Sequence, residues 1–282
     1  MTICVAVKVN DCTVFAADSA SSLMGPDANG QMAIIKVFDH GNKVFNIYKG
    51  LPICAMTSGM GNIGDSSIAT LAKDFRMALQ ESSGKYYIDK DKYTLADVSN
   101  KAFEFLYNEK YKGLKSQPQG DHSFEFQIGG YDSTGASEIW RIRIINGQCS
   151  GAELVSGNGV SGIQWSGQPD AINRLILGYA EQLQTALAGA GMSAGDVQKL
   201  LTTIAQHTQA PVVYPSMPVQ DAIRLADFLV ETTKGFVSFL PGADTVGGDT
   251  DVAVVTKHEG FKWIRRKHYY PRDLNPLETD HV

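Results

Sequence analysis

Apolar residues open the chain at alternate positions. Val5, Val7 and Val9 alternate with Ala6 and Lys8, and after the turn signal Asn10-Asp11 the run Thr13-Val14-Phe15-Ala16-Ala17 leads into Asp18. A period of two predicts two strands joined by a tight turn. Residues 19–31 carry Gly25-Pro26-Asp27 and Asn29-Gly30 and read as a loop. Three short strands are expected over 34–38, 43–48 and 51–57, and Ser58-Gly59-Met60-Gly61 ends the third. The period then changes. Ile68, Leu71, Ala72, Phe75 and Leu79 recur at helical spacing, as do Leu95, Val98, Ala102 and Phe105, with Thr94 placed to cap the second helix.

Alternation returns at Phe124, Phe126 and Ile128 and at Trp140, Ile142 and Ile144, with a turn over 132–135 and a short strand near 163–166. Helical spacing resumes with Ile172, Leu175, Ile176, Tyr179 and Leu183. It continues in a helix capped by Ser193 with Val197, Leu200 and Leu201, and in another that starts at Ser216-Met217-Pro218. A strand pair over 251–256 and 261–265 ends the pattern. Paired helices between antiparallel-looking strand blocks are not a βαβ alternation. They predict an α+β fold with two antiparallel sheets between two helical layers. No repeat or linker interrupts this order, so one domain is expected over residues 1–264, followed by a tail over 265–282.

Composition narrows the function. Of 282 residues, 43% are hydrophobic and 20% charged, which suits a globular domain with a large core. A net charge of −5 argues against nucleic acid or an anionic membrane as a partner. Cys4, Cys12, Cys54 and Cys149 form no CxxC pair, and six scattered histidines form no metal-ligand pattern. They read as free thiols in a reducing cytosol, and neither a metal nor a cofactor is expected. Gly-x-Ser-x-Gly does not occur, and Gly157-Asn158-Gly159 reads as a turn. The start lacks a basic, then apolar, leader, and no apolar run is long enough for a span, so a cytoplasmic protein is expected. The basic run Arg265-Arg266-Lys267-His268 reads as a solvated tail or subunit contact.

The candidate chemistry begins at Thr2. Methionine aminopeptidases remove Met1 when a small side chain follows, which would leave a free α-amine beside a secondary hydroxyl. Such an amine, with a pKa near ~8, is a base for its own hydroxyl. A neighbouring lysine would lower that pKa and stabilise the alkoxide, an aspartate would orient the lysine, and N–H groups at a glycine turn would hold a tetrahedral oxyanion. The chain supplies these parts in order: Thr2, Asp18, Lys36 or Lys43, and Ser58-Gly59. Gly59 serves equally as a residue that lets a strand turn into a helix.

The layout resembles the proteasome β-subunit superfamily of N-terminal nucleophile (Ntn) hydrolases, with bacterial proteasome-like peptidases and the ancestral-β-subunit group as its nearest branches. The matching stretches are Thr2-Ile3-Cys4-Val5-Ala6-Val7, Val14-Phe15-Ala16-Ala17-Asp18-Ser19, Lys43-Val44-Phe45-Asn46-Ile47 with 53–59 after it, Trp165-Ser166-Gly167, and Thr245-Val246-Gly247-Gly248. They span nearly the whole chain. The resemblance implies a four-layer αββα sandwich with Thr2 as nucleophile supported by Asp18 and a lysine. Lys43 matches the family's strand-opening lysine in context, while Lys36 is closer to the usual interval from Asp18. Ser166 resembles a family serine that bonds near the nucleophile's amine, and it equally suits a helix N-cap. In the late motif Val246 and Ala243 stand where the family has serine and aspartate, which leaves Asp244, one place off, as the candidate there.

The implied function is a threonine-type peptidase acting on peptides or unfolded polypeptides, assembled into a homo-oligomeric ring or stack, with an ATPase partner left open. A small-amide hydrolase and a non-catalytic assembly subunit are the alternatives on the same fold.

Overall fold

The computed structural model describes residues 2–28, 30–116, 118 and 120–267. The chain starts with β1 (Ile3–Lys8) and β2 (Cys12–Ala17), continues through β3 (Ser21–Pro26), β4 (Met32–Phe38), β5 (Val44–Asn46) and β6 (Ile53–Gly59), and makes a small hairpin of β7 (Asn62–Ile63) and β8 (Ser66–Ser67). Helix α1 (Ile68–Gln80) and helix α2 (Leu95–Phe103, continued in wider turns over Glu104–Tyr111) follow. Next come β9 (Ser123–Tyr131), β10 (Ser137–Ile145), β11 (Ala152–Ser156) and β12 (Gly162–Gly167). The last third holds α3 (Asp170–Ile172, with wider turns over Asn173–Leu177), α4 (Gln182–Gly189), α5 (Ala194–Thr208), α6 (Val219–Ser238), β13 (Asp251–Thr256) and β14 (Gly260–Arg265).

Two five-stranded antiparallel sheets result, in the orders β12-β1-β2-β13-β14 and β11-β10-β9-β6-β5. Strand alternation explains how they stack. Ile3, Val5, Val7, Val14 and Ala16 form one apolar layer with Ala222, Ala226 and Leu229 of α6. The intervening Cys4, Ala6, Phe15 and Ala17 point the other way and meet Cys54 and Met56 of β6. Ile53 and Ala55 of β6 then face Leu71, Phe75 and Leu79 of α1 and Val98 of α2. Strands buried on both faces carry few polar residues, which is why β1, β2 and β6 read as nearly continuous apolar runs. Each large side chain sealed this way, such as Phe15 or Phe75, contributes about 1.5–3 kcal/mol. The architecture is the expected four-layer αββα sandwich of the α+β class.

The helices α1 and α2 bury the side chains that the periodicity selects, and Thr94 Oγ1 accepts from Asp97 N as a cap should. Ser193 caps α5 in the same way. Three local expectations change. Residues 21–26 form a strand, not part of a loop, because Met32–Phe38 returns alongside them as an exposed hairpin. The run from Ile172 to Leu183 is not one helix: Gly178 turns left-handed at φ 82° and ends α3. Residues 152–156 add β11 at a sheet edge, where exposed glutamate and leucine hide the alternation.

Candidate active site

The two sheets bring the start of β1 beside the end of β2, the start of β5 and the end of β6. Thr2 precedes β1 and has the parity of Cys4 and Ala6, the side chains facing the second sheet. It is buried, and it lines a cavity of about 170 Å³ together with Lys43, Thr57, Ser58 and Gly59. The backbone of Thr2 is fixed from two directions. Its carbonyl accepts from Gln168 N at 2.6 Å, just past β12. The next amide, Ile3 N, donates to Asp18 Oδ1 at 2.9 Å.

Asp18 is fully buried where β2 ends, and it holds the site together. Oδ1 accepts from Lys43 Nζ at 2.6 Å as well as from Ile3 N, and Oδ2 accepts from Ala20 N at 3.1 Å and Gly247 N at 3.0 Å. The Gly247 carbonyl answers by accepting from Ser19 N and Ala20 N, both at 2.9 Å. Four donors thus converge on this one carboxylate. Lys43 is carried to it by a tether: Gly41 N donates to Ser19 O at 2.8 Å, and Lys43 O accepts from Thr57 N at 2.9 Å. Burial holds the Lys43 ammonium below the ordinary lysine range, with Asp18 working against that shift.

The candidates sort by position. Thr2, Asp18, Lys43 and Gly59 come together. Lys36 does not: it sits exposed on β4 of the outer hairpin, opposite Leu23. Gly59 closes β6 at φ 89°, and a Cβ there would lie 2.1 Å from Ser123 O, so the close strand contact itself requires glycine. Ser166 lies in β12 opposite Cys4, not at a helix start, and its Oγ accepts from Ser58 Oγ at 3.1 Å. Asp244 is exposed and does not line the cavity; the late motif reaches the site through the Gly247 backbone. Cys4, the nearest thiol in sequence, donates to Thr57 O at 3.1 Å. Burial pushes that thiol up, so it stays protonated and unreactive.

Two contributions escape the sequence reading. Gly167, at φ 99°, lets β12 approach Thr2 so closely that a Cβ would stand 1.9 Å from Thr2 O. A glycine inside a strand is the available signal for such an approach. The second is Lys267, which its basic neighbours place in a solvated tail or subunit contact. Arg265 closes β14, as the expected strand over 261–265 has it, but Lys267 is buried, donating to Ser19 Oγ at 2.7 Å and pairing with Asp251, while its own N–H donates to Asp251 Oδ1 at 3.0 Å. His268 and the rest of the tail lie outside the described residues. Among the described residues no cluster of histidine, cysteine, aspartate and glutamate suits a metal ion, and no helix is long and apolar enough to cross a membrane.

No family model matches the sequence, and no curated relative does. Among solved structures the chain is similar to an Anbu (Gly-1) mutant from Hyphomicrobium sp. strain MC1, with a TM-score of 0.52 at 10% identity over 95% of this chain and 86% of that one. It is also similar to the protein of the helical assembly of the Anbu complex from Pseudomonas aeruginosa, with a TM-score of 0.49 at 14% identity over 95% and 88% of the two chains. At such identity the likeness speaks for architecture and not for chemistry. The chain has the Ntn-hydrolase fold.

Proposed function

We propose that this protein is an N-terminal threonine peptidase in which removal of Met1 exposes Thr2. The observation that carries the reading is the single buried chain of contacts that links Ile3 N, Asp18 and Lys43 around the cavity Thr2 lines. In this reading the Thr2 α-amine takes the proton from Oγ, and Oγ attacks the scissile carbonyl carbon. The tetrahedral oxyanion collapses to a threonyl ester as the leaving amine takes the proton. Water, deprotonated by the same amine, then cleaves the ester and releases the acid. Lys43 supplies positive charge that lowers the amine's pKa and stabilises the developing alkoxide. Asp18 keeps that ammonium charged and aimed. Gly59, at the end of β6, is the candidate donor to the oxyanion, and Ser58 with Ser166 supports the amine.

A buried threonine beside a lysine–aspartate pair has little purpose in a purely structural subunit, since a buried ion pair is a poor source of stability. That favours the catalytic reading over a non-catalytic assembly subunit. We also propose that the chain self-associates, because Leu23, Met24, Met32, Ile35 and Phe38 leave one hairpin with an exposed apolar surface.

Thr2→Ala tests the mechanism. The variant is expected to fold with an unchanged circular dichroism spectrum and to lose at least ~10³-fold in peptide turnover. Cleavage at the wild-type rate would rule out Thr2 as nucleophile.

A further inference from the structure

A larger cavity adjoins the one around Thr2. Its volume is about 420 Å³, within the usual ~300–1,000 Å³ of ligand sites, and the two cavities share Asn42 and Ala69 as lining residues. It forms where the edge strand β5, helix α1 and the segment after β14 meet. Helical spacing builds one wall: Ala69, Ala72, Lys73 and Arg76 fall on one face of α1, so small side chains leave space and long basic ones border it. Arg266 and Lys267 supply the opposite wall.

The lining holds four cationic side chains and, among the described residues, no carboxylate. Lys267 is neutralised by Asp251, and Arg266 is steadied by Trp263, whose ring centroid is 4.8 Å from its guanidinium carbon. Lys73, Arg76 and Arg266 have no carboxylate partner among the described residues. Like charges gathered around one concavity repel, and the field they focus favours an anion. A second observation points the same way. Asn46 Oδ1 is buried on this lining without a hydrogen-bond partner. Rotated half a turn, the same amide presents an N–H₂ group that donates to a carboxylate.

We propose that this cavity receives an acidic side chain, aspartate or glutamate, of the substrate residue whose carbonyl Thr2 attacks. The proposal rests on the peptidase reading for its substrate. That residue has its carbonyl at Thr2, so its side chain is the part of the substrate that enters a space joined to the nucleophile's cavity. Lys73 and Arg76 are the specificity-determining residues, and Asn46 completes the carboxylate's hydrogen bonding.

The test uses N-acetyl peptide amides ending in Glu, Gln or Leu. Binding is measured calorimetrically on Thr2→Ala protein, and turnover of matching fluorogenic amides on the wild type. The Glu peptide is expected to bind about 10- to 100-fold tighter than the Gln peptide, a preference weakened by salt. In Lys73→Gln/Arg76→Gln protein that ratio is expected to fall to about 3 or less, and Arg76→Glu alone is expected to invert it. Equal affinity for Glu and Gln, stronger binding of Leu, or a ratio unmoved by both variants would overturn the proposal. Turnover separates the two readings: rapid cleavage without a Glu preference removes the acidic pocket and leaves the peptidase. Glu-selective binding that depends on Arg76, with no cleavage by the wild type, supports the pocket and removes the peptidase.

Discussion

Asp18 carries more of the site than any other side chain. Its carboxylate accepts from three backbone amides and one ammonium, and the amides belong to segments as far apart as Ile3 and Gly247. Removing it strands the Lys43 charge in a buried position. Loss of one partner of a buried pair costs about 3–5 kcal/mol, a large share of a typical stability of ~5–15 kcal/mol. Asp18→Ala is therefore expected to lower the unfolding free energy in urea by about that amount and to abolish turnover. A change under ~1 kcal/mol would show that the pair is not the keystone described here. At this scale the sequence was partly legible. Thr2 and Asp18 flank a strand hairpin and could be recognised. Lys36 and Lys43 could not be separated, because Lys43 fits by its place before a strand and Lys36 by its interval from Asp18, and only the return of β4 onto β3 carries Lys36 away. Lys267 was hidden by its company: a basic run looks solvated, and its partners Ser19 and Asp251 lie far off in sequence.

Strand ends act as the positioning devices. The last residue of β12, Gly167, faces Ile3 and approaches Thr2 O more closely than any side chain permits. Gly167→Ala adds a methyl group 1.9 Å from that oxygen at a φ of 99°, so β1 and β12 must separate at their ends. We expect a loss of about 10²-fold or more in kcat/KM, since small misplacements of a nucleophile are costly. Stability should fall by ~1–3 kcal/mol. Wild-type kinetics in this variant would mean that Thr2 does not depend on the end of β12. The elements themselves were the most readable part of the sequence. Ile68 to Leu79 and Leu95 to Phe105 announce α1 and α2 by period alone, and doubly buried strands announce themselves by density of apolar residues. What failed were two exposed strands: β3 and β11 carry mixed patterns because water covers one side, whereas β4 was expected over 34–38 and forms over Met32–Phe38.

The whole molecule stacks three apolar layers between four structural ones, and the catalytic candidates sit where the two sheets part at one end. In the peptidase reading, assembly would restrict which peptides reach this cavity. The exposed β3–β4 hairpin leaves an apolar surface on the chain, which the proposed self-association would cover. Sedimentation at micromolar concentration is expected to give a species several times the 30.6 kDa chain mass. Met32→Glu/Phe38→Glu is expected to return it to the monomer. A monomeric wild type would remove the assembly reading and favour an open hydrolase of small amides. The fold class followed from the order of strand and helix blocks, whereas the proposed assembly rests on a hairpin whose first strand, β3, sequence patterning reads as loop.

One measurement bears on the central claim more directly than the rest: reaction of the purified protein with a peptide epoxyketone, followed by intact-mass and fragment-mass analysis. The reagent needs a hydroxyl and a free α-amine on the same residue, so one experiment reports both the nucleophile and its maturation. The account predicts a chain that begins at Thr2 and carries one stoichiometric adduct on that residue, absent after treatment of Thr2→Ala protein. An active enzyme that retains Met1, or an adduct that maps elsewhere, would contradict it.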